Sequence, residues 1–390
     1  MKMYAFVFVF LCCGCSNSFP EKASGPAEPI LLDNRRIAGK AAIDDFVKDI
    51  EWVSLETSRA AIIGNTPYQM AICDGRLFLL YTGINSALVI FDLKTGAFIK
   101  KITSTGSGPG EFSKITSFNI DQRRKVMEIA AGFERKVLEF DLDGNFNAEV
   151  FSEIPFTNMA NLPNGEKIIY TQSENKVFTG HPQDNELIAL AENHAFRAGL
   201  KVLDSKHPVY LVSGYILFPY GDSLRFLKPF SDTIFSVLPR GVVPRYIAHF
   251  KKGAVGPEFW ENSRLQGARD EICAQNHIPS LMPVFFENAR LLFGVYQSDD
   301  GLTYHFIYDK RDKSVLHNFG GLWYNKWDIP LPPPLHIGRE GLLFLLTPTE
   351  LKTLVAEHPD PLKLPAELRT AVSRVEDSDN PFFLHVRFKG

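Results

Sequence analysis

Cysteine is scarce in this chain of 390 residues: five in all, three of them within the first fifteen positions. Beyond those only Cys73 and Cys273 remain. No Cys-x-x-Cys pair is left for a structural zinc site, and no His-Glu-x-x-His run or Cys/His cluster replaces it. An excess of one charge is also missing, since 42 Lys and Arg stand against 45 Asp and Glu for a net charge of −3. That balance excludes the basic footprint of a nucleic-acid-binding surface. After the first residues no segment has 18 continuous apolar positions, so no later membrane-spanning helix is expected. Gly-x-Ser-x-Gly is absent, and with it the nucleophile elbow. The ten histidines are scattered without metal-ligand spacing and read as surface or core polar residues. What is present is a globular composition, 45% hydrophobic and 22% charged. It carries 32 Phe, 28 Gly and 25 Pro. Many aromatics with many turn formers favour a β-rich fold.

The first residues read as an export signal. Lys2 supplies the positive start, and residues 3–13 form an apolar run of 11. That is too short for a transmembrane helix, which needs about 20 residues, but suits a signal peptide. Gly14-Cys15 follows, then Ser16-Asn17-Ser18. A small residue before Cys at the end of such a run resembles a bacterial lipobox, in which the thiol carries diacylglycerol. Cys15 is the expected lipidation site. Cys12 stands where Leu is usual, and Cys13 is the weaker alternative. Residues 1–14 are thus expected as a lipoprotein signal peptide and 15–32 as a flexible tether, rich in polar residues, Pro and Gly. The body runs over 33–390. Cys73 and Cys273 read either as a disulfide or as two buried thiols.

From about residue 50 the chain alternates short apolar segments with turn signals. Arg76–Tyr81 follows Asp74-Gly75, and Ala87–Leu93 leads through Lys94-Thr95-Gly96 into Ala97–Ile102. Strands of five to seven residues joined by such turns make antiparallel hairpins. An internal echo appears: Phe91-Asp92-Leu93-Lys94-Thr95-Gly96 is matched by Phe140-Asp141-Leu142-Asp143-Gly144. A repeat of about 40–50 residues with four strands per unit is the mark of propeller blades. The expected fold is an all-β, six-bladed β-propeller with a few short helical insertions. Helices are expected at Pro257–Gln275, at Glu350–His358 behind a Thr347–Glu350 capping box, and at Pro365–Val375. A β-sandwich followed by an α+β domain is the competing architecture, and the echo favours the propeller.

The segment Gly106-Ser107-Gly108-Pro109-Gly110-Glu111-Phe112 resembles the blade linker of the six-bladed β-propeller lipoproteins of Bacteroides-type bacteria, and is similar to that of NHL-type blades. Val53–Thr57 with Ile63-Gly64 resembles the opening of that family. Phe230–Phe235 with Pro244-Arg245-Tyr246 resembles a strand pair of that family, and Asp379-Asn380-Pro381-Phe382 resembles its C-terminal closure. The resemblance covers residues 51–389. It implies an exported lipoprotein and carries no catalytic residues with it.

Local chemistry gives few site residues. A Gly-rich loop can cradle phosphate, but that needs a strand-to-helix setting and a Lys. Here strands flank the segment, so Gly106, Gly108, Pro109, Gly110, Glu111 and Phe112 read as a tight interblade turn. Ser298–Tyr304 is one residue short of a sialidase Asp-box and reads as an Asp-Gly hairpin. Trp323, Tyr324 and Trp327, with Trp260 apart from them, are the candidate ligand surface, since exposed aromatics stack on sugars or anchor peptides. The alternative is that they pack a loop onto the body. No catalytic residue and no metal ligand is assigned. Three functions compete. The first is a non-catalytic binding or scaffold module of the cell envelope, meeting a glycan, peptide or protein. The second is a calcium-dependent hydrolase or lyase, with carboxylates and amides such as Asp121, Asn161 and Glu287 converging in the funnel. The third is a partner protein within an outer-membrane complex. Membrane contact is expected through the lipid alone. The residues after Cys15 lack an acidic run, which favours the periplasmic side of the outer membrane over the cell surface.

Overall fold

Turn chemistry divides this chain into strands too short to be stable alone. The Asp92 carboxylate accepts from the backbone N–H of Lys94 and Thr95, and the Asp141 carboxylate accepts from Asp143 and Asn145. Each Asp ends a strand by offering the backbone a local acceptor in place of the ladder. Gly96 then takes φ 72°, and a side chain there would strike the backbone carbonyl of Ser54. The computed structural model describes residues 26–33, 42–63, 67–82, 86–103, 106, 108–152, 154–171, 187–200, 216–227, 231–239, 241–250, 278–319, 322–331, 336–337 and 340–389. The expected signal peptide, Cys15, Trp260, the helix expected at Pro257–Gln275, and Cys273 lie outside the described residues. Cys73 is buried, and its sulfur accepts from Gln122 Nε2 at 3.2 Å.

The strands form six sheets around an axis, a six-bladed β-propeller. Two strands come first, β1 (Glu28–Leu32) and β2 (Val47–Ser54). Blade 1 is β3 (Gln69–Cys73), β4 (Arg76–Tyr81), β5 (Ala87–Asp92) and β6 (Phe98–Thr103). Blade 2 is β7 (Ser117–Asp121), β8 (Val126–Ala131), β9 (Lys136–Asp141) and β10 (Phe146–Phe151). Blade 3 is β11 (Asn158–Asn161), β12 (Lys167–Tyr170), β13 (Leu187–Leu190) and β14 (Phe196–Leu200). Blade 4 is β15 (Leu217–Tyr220), β16 (Ser223–Leu227), β17 (Thr233–Leu238) and β18 (Gly241–Phe250). Blade 5 is β19 (Ser280–Glu287), β20 (Leu291–Gln297), β21 (Thr303–Asp309) and β22 (Ser314–Phe319). A small hairpin follows, β23 (Leu322–Tyr324) with β24 (Ile329–Leu331). Blade 6 is β25 (His336–Ile337), β26 (Gly341–Leu346) and, after helices α1 (Pro348–Ala356) and α2 (Ala366–Val372), β27 (Phe382–Phe388). The capping box is formed: Thr347 Oγ1 accepts from the Glu350 N–H, and the Glu350 carboxylate accepts from the Thr347 N–H.

The core lies in the seams between blades. Phe78, Leu88 and Ile90 of blade 1 meet Met127, Ile129, Leu138 and Phe140 of blade 2, all buried. Burying such side chains contributes about 1.5–3 kcal/mol each. The repeated aromatic has a repeated role. Phe91 packs edge-on against Phe98, and Phe140 against Phe146, one pair per blade.

The ring closes with a strand from the far end of the chain. β2 pairs antiparallel with β27 and becomes the outer strand of blade 6. Asn380 fastens this closure: its side-chain amide donates to the carbonyls of Glu56 and Ala61, and its oxygen accepts from the Ile63 N–H. The opening and closing sequence motifs of the family resemblance therefore meet in space. One element departs from the sequence reading. Glu28–Leu32, assigned to the flexible tether, is a fifth strand of blade 4, parallel to β18. Its alternation explains why, since Ile30 and Leu32 are buried in the seam between blades 4 and 5 while Leu31 points outward.

Candidate functional site

A four-stranded meander puts its first and third turns at one end and its second turn at the other. The link to the next blade leaves from that second end. Here the two ends are very different. Every turn at the first end spans two to five residues, such as Cys73 to Arg76 and Leu190 to Phe196. Connections at the second end span four to 35 residues, the longest running from Leu346 to Phe382 and carrying α1 and α2. We call these the turn end and the loop end.

Charge gathers in two buried clusters near the turns, one in the seam between blades 2 and 3 and one between blades 4 and 5. In the first, Glu128 of β8 is fully buried. Its Oε1 accepts from Lys167 Nζ of β12 and from Arg124 Nη2. Its Oε2 accepts from Asn161 Nδ2 at 2.8 Å and Asn119 Nδ2 at 3.3 Å. Arg124 also donates to Asp121 at 2.8 Å and to Glu139 at 2.8 Å. His194, 3% exposed on the β13–β14 turn, has no hydrogen-bond partner at either ring nitrogen among the described residues. Burial, with Lys167 beside it, lowers its pKa to about 4 and keeps the ring neutral.

In the second cluster Glu287 of β19 accepts from Arg225 Nε at 2.6 Å, from Tyr246 Oη at 2.7 Å and from Lys310 Nζ at 2.5 Å. Arg225 donates onward to the hydroxyls of Ser223 and Ser236, and its guanidinium lies 4.3 Å from the centre of the Tyr220 ring. Burial pushes the Glu287 carboxyl up, but Arg225 and Lys310 outweigh it and hold it below the usual carboxylate range. Burial lowers Lys310, with Glu287 opposing.

Ligand atoms of Glu128, Glu139 and His194 lie within 4.8 Å of one another, a spacing suited to a metal ion. The residues do not fit calcium, which takes six to eight oxygens. Arg124 already bridges the two carboxylates, Lys167 fills a further Glu128 position, and the third ligand is an imidazole. Asp121, Asn161 and Glu287 form no common ring. Asp121 and Asn161 belong to the first cluster and Glu287 to the second, each engaged in the pairs just described.

The aromatic candidates are placed otherwise than a ligand surface requires. Tyr324 and Trp327 are buried, their rings edge-on at 5.8 Å, in a core shared with Ile43, Leu351, Leu364 and Leu368. The His358 Nε2 meets the Trp327 carbonyl at 2.7 Å. Trp323 is half-buried, and its carbonyl accepts from the Ile43 N–H. Helices α1 and α2 need an apolar partner, and the hairpin supplies it, so the rings of Tyr324 and Trp327 are spent on packing. In the segment 106–112, Glu111 Oε2 accepts from the Gly108 N–H at 2.9 Å, Gly110 takes φ 77°, and Phe112 is buried between blades 1 and 2. Sequence reading missed both charged clusters. The one signal was a Glu inside the apolar strand Val126–Ala131, matched by a Lys opening Lys167–Tyr170.

A family model described as a domain of unknown function (DUF4934) matches residues 33–387. No curated protein sequence matches this one. Among solved structures, a Bacteroides fragilis protein described as a candidate exported protein is similar, with TM-score 0.74 at 19% identity over 93% of this chain and 100% of that one. A member of the DUF4221 family from Bacteroides vulgatus is looser, with TM-score 0.45 at 11% identity over 88% and 98%. Virginiamycin B lyase from Staphylococcus aureus has TM-score 0.39 at 11% identity over 76% and 80%. At these identities the likeness is one of fold. Among the described residues no helix is long and apolar enough to cross a membrane.

Proposed function

We propose, for a chain that belongs to the DUF4934 family, the role of a non-catalytic binding or scaffold module of the bacterial cell envelope. A lipid on Cys15 holds it at the periplasmic side of the outer membrane. Its loop end meets a glycan, peptide or envelope protein. The observation that carries this reading is the inequality of the two ends, two to five residues per connection against four to 35. A rigid scaffold that lengthens its connections at one end only is built for recognition there, because loops carry contact surface while the strands fix their position. The buried charges are consistent with a scaffold, since they tie blade to blade.

The test is equilibrium binding to a panel of envelope glycans and peptides, repeated with substitutions at each end. Leu302→Asp and Leu362→Asp alter exposed loop-end positions; Lys94→Glu and Asp222→Lys alter exposed turn-end ones. Binding lost with the first pair and kept with the second supports the reading. Loss with the second pair alone overturns it. Labelled palmitate incorporated by the full chain and not by Cys15→Ala tests the anchor.

A further inference from the structure

The N-terminal segment joins the propeller with a direction. Glu28 pairs with Tyr246 and Leu32 with Phe250, so β1 runs the same way as β18. β18 starts at the turn end, at Gly241, and finishes at the loop end, at Phe250. The chain preceding Glu28 therefore leaves β1 heading for the turn end. The exit is fixed: Ile30 and Leu32 are buried, and the Glu28 carboxylate accepts from Tyr308 Oη at 2.5 Å and pairs with Arg245 at 3.4 Å. Tyr308 belongs to blade 5 and Arg245 to blade 4, so both blades hold the segment.

Residues 16–27 join Cys15 to this fixed point. A flexible chain of that length has a root-mean-square span of about 20 Å. At full stretch it reaches about 45 Å. To bring the loop end to a bilayer the tether must double back along β1, about 13 Å, and then clear the long connections of that end. Reaching the turn end needs no reversal, although Glu28 pairs with Tyr246, so the tether first runs the length from Tyr246 to Gly241, about 16 Å, to clear that end. Three ion pairs at the turn end balance in charge: Arg76 with Asp143, Arg123 with Glu192, Lys125 with Asp74.

We infer that the anchored propeller stands with its turn end toward the lipid surface and its loop end away from it, oriented by the docking of β1. This rests on the anchor at Cys15 proposed above. The test labels single cysteines on a Cys73→Ser, Cys273→Ser background, with the lipidated chain bound to phosphatidylethanolamine–phosphatidylglycerol vesicles carrying a headgroup quencher. Dyes at Lys94→Cys and Asp222→Cys are expected to be quenched about threefold more than dyes at Leu302→Cys and Leu362→Cys, given the tether's short mean span. The difference is expected to persist in high salt, because it does not come from charge. Ile30→Asp, which undocks β1 and lengthens the free tether, is expected to bring the ratio to about one, with thermal melting checking that the body stays folded. Equal or reversed quenching in the parent overturns the inference, as does a ratio that survives Ile30→Asp. If palmitate is not incorporated, the anchor reading fails by itself. The orientation is then measured by the same ratio after coupling a maleimide lipid to Cys15 of residues 15–390.

Discussion

The two buried charge clusters solve one problem with different completeness. Each sets a single carboxylate, Glu128 or Glu287, against two cations that reach it from the turns and across a blade seam. Around Glu287 the polar groups continue into hydroxyls and an aromatic face. Around Glu128 the amides of Asn119 and Asn161 complete the carboxylate, yet His194 lies beside it with both nitrogens unpartnered among the described residues. The difference teaches where the ring has slack. A buried charge without its partner costs several kcal/mol, so a closed cluster locks its seam, while a neutral orphan costs less and is tolerated.

The largest expected effect is at the closed cluster. Glu287→Gln strands Arg225 and Lys310 and is expected to lower unfolding free energy by about 3–5 kcal/mol in denaturant titration. Glu128→Gln strands Lys167 but not Arg124, which is part-exposed and keeps Asp121 and Glu139, so it is expected to cost about 3 kcal/mol, the lower end of that range. An equal or greater loss at Glu128 would break the comparison.

The pH dependence sharpens it. The folded pKa of His194 is about 4, below the ordinary 6.5, so the unfolded chain takes up its proton first. Stability is full above pH 6.5 and falls as pH drops toward 4; between pH 6.5 and 5 His194 accounts for about 2 kcal/mol of that loss. His305 and His385, also buried with pKa values lowered to about 4, add slope of their own. His194→Phe should flatten the curve and, at pH 7, leave stability unchanged or raised by about 1 kcal/mol by removing two unpaired nitrogens. A marked loss at pH 7 would mean that the ring does hold a partner. Smallest is the exposed pair Arg123–Glu192 across the same seam, where Arg123→Ala is expected to cost under about 0.5 kcal/mol in the same titration.

Much of the fold was legible because its signals are local. Asp92 and Asp141 close their turns through atoms within a few residues, and Thr347 and Glu350 cap α1 the same way. The site was far less legible. Trp323, Tyr324 and Trp327 read as a ligand surface because a loop beside a proline run carries them. Only the packing of α1 and α2 onto that hairpin shows that two of the rings are buried. Glu128 and Lys167 stand 39 positions apart, and nothing near either one announces the other.

The sequence by itself determined most of the strands, the turns between them, the cap of α1 and the order of the blades, since hydrogen bonds between near neighbours set these. Tertiary structure alone decided which seams hold charge, that β2 closes blade 6 beside Asn380, and that Glu28–Leu32 is a strand and not free tether. Those features pair residues tens to hundreds of positions apart. Their stability comes from excluding water between sheets, which happens only once the ring is closed.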